Sequence, residues 1–159
     1  MASFLQGKDV QLITFGKQVI KLAQVPPNSG SSANLFTVAG GSVIVTSLVG
    51  HVSTVMSGTT GAIALGTHPT VGTEKTAGIA TAGVIGGAEV GTFLTPLAAS
   101  GLAGALVVSA LFAGNSPFLP NPFLVNAGVI EVTTSVATMT GAIDWYLTYV
   151  ALDVGASVS

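Results

Sequence analysis

Neither cysteine nor arginine occurs in this 159-residue chain. Without cysteine there is no disulfide framework, no thiol nucleophile and no thiolate metal site. The only basic side chains besides histidine are Lys8, Lys17, Lys21 and Lys75. Four scattered lysines cannot make the basic stripe that nucleic-acid binding needs, so nucleic acid is excluded as a partner class. Acids are equally sparse: Asp9, Glu74, Glu89, Glu131, Asp144 and Asp153. Charged residues make up 6% of the chain, against about 25% in an average globular domain. A lone soluble monomer keeps more charge on its surface. The composition therefore favours a protein that covers much of its surface in an assembly.

Catalytic groups are also lacking. There is no Gly-x-Ser-x-Gly elbow, and no Ser–His–Asp order stands out. Two histidines, His51 and His68, have no i,i+4 partner or nearby acid in sequence, so no metal site is expected. His51 sits in an alternating run and reads as a sheet or interface residue. His68, before Pro69, reads as an exposed loop residue. Asp144 and Asp153 have opposite parity on a strand, which argues against a shared carboxylate pair. Glycine-rich stretches at Gly83–Gly87 and Gly101–Gly104 lack the Lys-Ser/Thr of a phosphate loop. The expectation is a non-enzymatic chain with no catalytic, cofactor-binding or metal-binding residues and no cofactor.

Mean hydropathy is +0.77, which raises the question of a membrane span. Leu97 to Gly114 is uncharged, but it is rich in Ala, Gly and Ser. No Lys or Arg follows it, and Pro96 and Pro117 bracket it. No membrane partner is expected. Met1 to Lys21 lacks the continuous apolar core of a secretory signal and reads as strand.

What is present is strand pattern. In the segment from Gly141 to the end, Ile143, Trp145, Leu147, Tyr149 and Ala151 share one face of an extended chain. Asp144, Tyr146, Thr148 and Val150 share the other. This alternation runs through the single tryptophan and both tyrosines and predicts a strand with one buried face. Ser42 to Met56 alternates as well; it is long for one strand, and Gly50 is the expected bend. Val10–Phe15, Gln18–Val25, Asn34–Val38, Ala62–Leu65, Val71, Leu102–Phe112 and Val129–Thr134 read as further extended pieces. Ala39-Gly40-Gly41 reads as a turn, and Phe118–Asn126 as an extended connection. Glu74 to Val90 is too rich in Gly and Ala to show either periodicity. The fold expected is all-β, a β-sandwich or a jelly-roll-like barrel, as one domain over 1–159, with 1–9 and 26–33 the mobile stretches.

Two segments carry a family resemblance. They are Leu35-Phe-Thr-Val-Ala-Gly-Gly-Ser-Val-Ile-Val-Thr-Ser-Leu-Val-Gly-His-Val-Ser-Thr-Val55 and Thr140-Gly-Ala-Ile-Asp-Trp-Tyr-Leu-Thr-Tyr-Val-Ala-Leu-Asp-Val-Gly-Ala-Ser-Val158. With Gly128-Val-Ile-Glu-Val-Thr133 between them, they resemble small structural proteins of tailed bacteriophages of the capsid decoration, or cement, type. Ala151 stands where that pattern has proline, and Glu74 to Leu106 lies outside it. The resemblance implies a virion protein on the outer capsid surface. It implies the phage major capsid protein as partner and a homotrimer as the assembly, and it carries over no catalytic residue. The alternative is a tail-fibre or surface module that binds a glycan or receptor, with Trp145 and the tyrosines as a stacking platform.

Overall fold

The computed structural model describes residues 16–58, 60–99, 102–108, 122–134 and 138–159. Eleven strands make up the described chain, and no helix occurs among the described residues. In chain order they are β1 (Lys17–Gln24), β2 (Ser32–Ala39), β3 (Val43–Thr54), β4 (Ala62–Pro69), β5 (Lys75–Val84) and β6 (Phe93–Ala99). Then follow β7 (Leu102–Val108), β8 (Phe123–Val125), β9 (Gly128–Thr134), β10 (Ala142–Ala151) and β11 (Ser157–Val158).

The strands form two antiparallel sheets. The first runs β1-β10-β3-β6-β7, with β8 also paired to β3; the second runs β5-β4-β9-β2-β11. A short parallel contact between β5 and β7, Ala80 with Gly104 and Thr81 with Ala105, joins them. Edges β1 and β11 do not meet, so the sheets are not closed into a barrel. Of the two expected architectures, the structure is the β-sandwich.

The core lies between the inner faces. Ile143, Trp145, Leu147 and Tyr149 of β10 are buried as the alternation predicts, whereas Ala151 is exposed. From the second sheet come Phe36, Ile63, Leu65, Ile130 and Val132. Burial of a large apolar side chain stabilises by about 1.5–3 kcal/mol, so these residues dominate the folding free energy.

The β3 expectation needs one correction. The strand is irregular against β10 at two places, Thr46 and Ser53, and not at Gly50. Val45 pairs with Tyr149 and Ser47 with Thr148, leaving Thr46 as the extra residue. Its hydroxyl donates to the Thr148 carbonyl at 3.1 Å. The bulge flips the parity, so Val43 and Val45 face inward before it and Leu48, Gly50 and Val52 after it. Gly50 has another role. A side chain there would meet Trp145 Cζ3 at 3.0 Å and Ile143 Cγ2 at 3.2 Å, so the missing Cβ makes room for the indole.

The C-terminal stretch is two strands rather than one. After β10 the chain turns at Leu152–Gly155 and β11 joins the opposite sheet. Ser159 exchanges backbone hydrogen bonds with Thr37 at 2.8 and 3.0 Å, tying the last residue to β2. The unreadable middle contains β5, whose register on β4 shifts twice. Val71 is exposed outside any strand. The expected mobile stretch 26–33 includes the start of β2, and Gly30 N–H donates to the Thr134 carbonyl at 2.7 Å. Leu97 to Gly114, where described, is β6 and β7, and no described helix is long and apolar enough to cross a membrane. The expected Val10–Phe15 strand and the 1–9 stretch lie outside the described residues, as do Gly101 and residues 118–121 of the expected Phe118–Asn126 connection, whose described part contains β8.

Candidate functional site

The outer faces of the two sheets carry different chemistry. On the first sheet, directly opposed residues of antiparallel strands share a face, so the register lays out rows. One row is Ile20, Tyr146 and Val49; another is Gln18, Thr148 and Ser47. A third is Val150, Ile44 and Leu124, and a fourth Asp144, His51 and Phe93. Leu124 is 66% exposed, Ile20 46% and Val150 41%, on a face that an ordinary antiparallel sheet fills with polar side chains. Asp144 is the only acid in these rows, and no lysine occurs in them.

Asp144 helps hold the fold through one carboxylate oxygen. Its Oδ1 accepts from the Ala23 N–H at 2.7 Å and from the Ser53 hydroxyl at 3.1 Å. Ala23 has φ 50° at the bulge in β1, so the carboxylate pins an irregular edge strand to the sheet. Asp153 does similar work, with Oδ2 accepting from the Ser42 N–H at 2.7 Å. His51 sits half-buried with its ring 5.2 Å from that of Phe93 and tilted by 45°, consistent with its reading as a sheet residue.

The second sheet carries a cluster that single-sequence spacing does not reveal. Gly66 of β4 opposes Glu131 of β9, and His68 opposes Val129, so His68 and Glu131 lie diagonally on the outer face. The backbone of Lys75 and Thr76 occupies the space where a Gly66 side chain would go. Only glycine permits this approach, and it brings the start of β5, with Glu74 just before it, over Glu131. Ligand atoms of His68, Glu74 and Glu131 all lie within 4.8 Å of one another. His68 Nδ1 is 3.6 Å from Glu74 Oε2, and both side chains are substantially exposed. His68 is exposed as expected, but it is on a strand and has two acids beside it.

Glu131 is the unusual member. It is 3% exposed, and its Oε1 has no hydrogen-bond partner. Burial pushes its carboxyl above the usual carboxylate range, the charge of the adjacent Glu74 and a side-chain hydrogen bond to it add to that, and His68 opposes it. The hydroxyls of Thr92 and Thr134 are also buried without partners, but they are neutral and far less costly.

Trp145 is 1% exposed and Tyr149 2%, which removes these rings as a sugar-stacking platform. The molecule is thus an open β-sandwich with one nearly uncharged outer face and one His/Glu/Glu cluster. No family model matches the chain, and no curated protein or solved structure matches it.

Proposed function

We propose that this chain is a non-enzymatic capsid decoration protein. It binds the outside of a phage major capsid shell as a homotrimer and stabilises the shell by bridging capsomers. The observation that carries this reading is the outer face of the first sheet, where Ile20, Tyr146, Val49, Leu124, Ile44 and Val150 lie among hydroxyl and amide side chains. Apolar and hydroxyl-bearing side chains suit a dry protein contact, and charge depletion is the compositional mark of an interface core. The resemblance of Leu35–Val55 and Thr140–Val158 to phage cement proteins names the partner; these segments supply β3 and β10 of that same face.

The mechanism is mass action. A subunit that binds the assembled shell but not its dissociated parts stabilises assembly by its binding free energy. One standard interface buries roughly 1,600 Å², and many such bridges add across a shell. Few ion pairs also leave these contacts little affected by salt.

The test uses particles that lack the protein. They are expected to assemble and package DNA, to burst at lower temperature than complete particles, and to regain stability when purified protein is added back. Depleted particles as robust as complete ones would overturn the reading. So would a loss of host adsorption with the shell unchanged.

A further inference from the structure

We propose that His68, Glu74 and Glu131 form a binding site for a borderline divalent cation of the zinc class. The site lies on the outer face of the second sheet, apart from the docking face, and does not depend on the capsid reading.

The argument starts from the cost of Glu131. A buried carboxyl with an unpartnered oxygen is costly; Oε1 has no hydrogen-bond partner, and the group's side-chain hydrogen bond is to a second acid, Glu74. The fold nevertheless holds it 3% exposed, opposite a glycine and beneath the incoming β5 backbone. Nothing in the core requires an acid there, because Ile130 and Val132 of β9 fill the inner face. The second acid, Glu74, is hydrogen-bonded to the first, so the pair is held together by a shared proton. A divalent cation in place of that proton, with His68 within reach, offsets both charges at once.

The spacing of His68 and Glu74 suits coordination better than hydrogen bonding. The 3.6 Å between His68 Nδ1 and Glu74 Oε2 is longer than a hydrogen bond. Two ligands about 2.0–2.2 Å from one tetrahedral zinc sit about 3.3–3.5 Å apart. All three donor atoms fall within 4.8 Å, so a small inward movement of two exposed side chains closes the set. One imidazole with two carboxylates is a nitrogen–oxygen donor set. Zinc accepts it, whereas calcium and magnesium prefer oxygen alone and more ligands. The exposed side chains of His68 and Glu74 leave an entry path and a fourth position open to water.

Bound there, the ion would join β4, β9 and the start of β5. The β4–β5 ladder shifts register between Ile63 and Leu65 and again between Leu65 and Thr67, so this is the seam where a staple is most useful. Because the ion binds the folded arrangement and not the unfolded chain, it stabilises the fold in proportion to its occupancy.

The full chain, dialysed against a chelator, is titrated calorimetrically with zinc chloride, and in parallel with calcium and magnesium chloride. The expected result is one zinc per chain, bound at least tenfold more tightly than calcium or magnesium. His68→Ala and Glu74→Gln alter exposed side chains and leave folding intact, and each is expected to weaken zinc binding at least tenfold. Glu131→Gln is expected to do the same, with circular dichroism checking its fold. Zinc binding to His68→Ala as tight as to the wild type overturns the proposal. So does the absence of wild-type binding up to millimolar zinc, in which case a proton neutralises Glu131. Equal affinity for calcium overturns the assigned class of ion.

Discussion

The outer faces of the two sheets solve the same problem in opposite ways. On the β1-β10-β3 face charge is nearly absent, and its one acid, Asp144, is held by the Ala23 N–H and the Ser53 hydroxyl. On the β4-β9 face Glu131 is buried more deeply and its Oε1 has no protein partner. A satisfied carboxylate at a bulged edge is a structural fastener. A buried one with an unpartnered oxygen, hydrogen-bonded to a second acid and close to a histidine, is a place for a shared proton or, as proposed, a cation. On the proposed reading the first face is completed by a protein surface, and the second by a proton or a cation. Outer-face position in a strand therefore says little until the partners of each polar atom are counted.

The comparison can be broken most severely from beneath. Trp145 supports the first face from inside, so Trp145→Ala is expected to cost about 3–5 kcal/mol in chemical denaturation, the usual range for a buried large aromatic. An unchanged unfolding midpoint would mean that the indole does not fill the core. The next test separates docking from folding. The double variant Ile20→Lys/Val150→Lys puts charge on exposed positions and should shift stability by no more than about 0.5 kcal/mol. It should abolish detectable binding to depleted particles in a cosedimentation assay, because an unpaired charge in a dry contact is costly. Retained binding would move the interface elsewhere.

Smaller effects sharpen the contrast between the two acids. Asp144→Ala leaves the Ala23 N–H without its acceptor and should cost about 1–2 kcal/mol in the same denaturation experiment, since bonds to charged groups are worth somewhat more than neutral ones. Glu131→Gln should behave differently in the metal-free protein. The folded-state value of Glu131 is raised from 4.5, so the unfolded chain releases this proton first as pH rises. Over that window the folded state binds more protons than the unfolded state, and stability falls with increasing pH before levelling off above the folded-state value. The glutamine variant should lack this fall and melt no lower than the wild type at neutral pH. Calorimetric melts in chelator across the acid range check it, with Glu74 and His68 present in both proteins.

How much of this was legible in the sequence depends on local contrast. The inner face of β10 could be read because Ile143, Trp145, Leu147 and Tyr149 alternate with Asp144, Tyr146 and Thr148, and the structure buries the first set. The Thr46 bulge could not be read, because Val45 and Leu48 are apolar on either parity and only the pairing with Tyr149 and Thr148 shows the slip. Strand β5 was hidden by small residues, which carry little apolar contrast, and by its two register shifts on β4. The cluster was hidden for a different reason. His68 and Glu131 meet only through the β4–β9 register, and Glu74 reaches them only because Gly66 lets another backbone pass above it. The one local hint was an acid within the apolar run Val129–Thr134, which becomes informative once Glu131 is known to be buried.

The most direct test of the account is a cryo-electron-microscopy map of the complete particle at a resolution that orients the sandwich. The account predicts trimers over capsomer junctions, with the face bearing Ile20, Tyr146, Leu124 and Val150 turned toward protein and the face bearing His68 and Glu74 turned toward solvent. Density for the chain on the tail, or on the shell with the first face exposed to solvent, would contradict it.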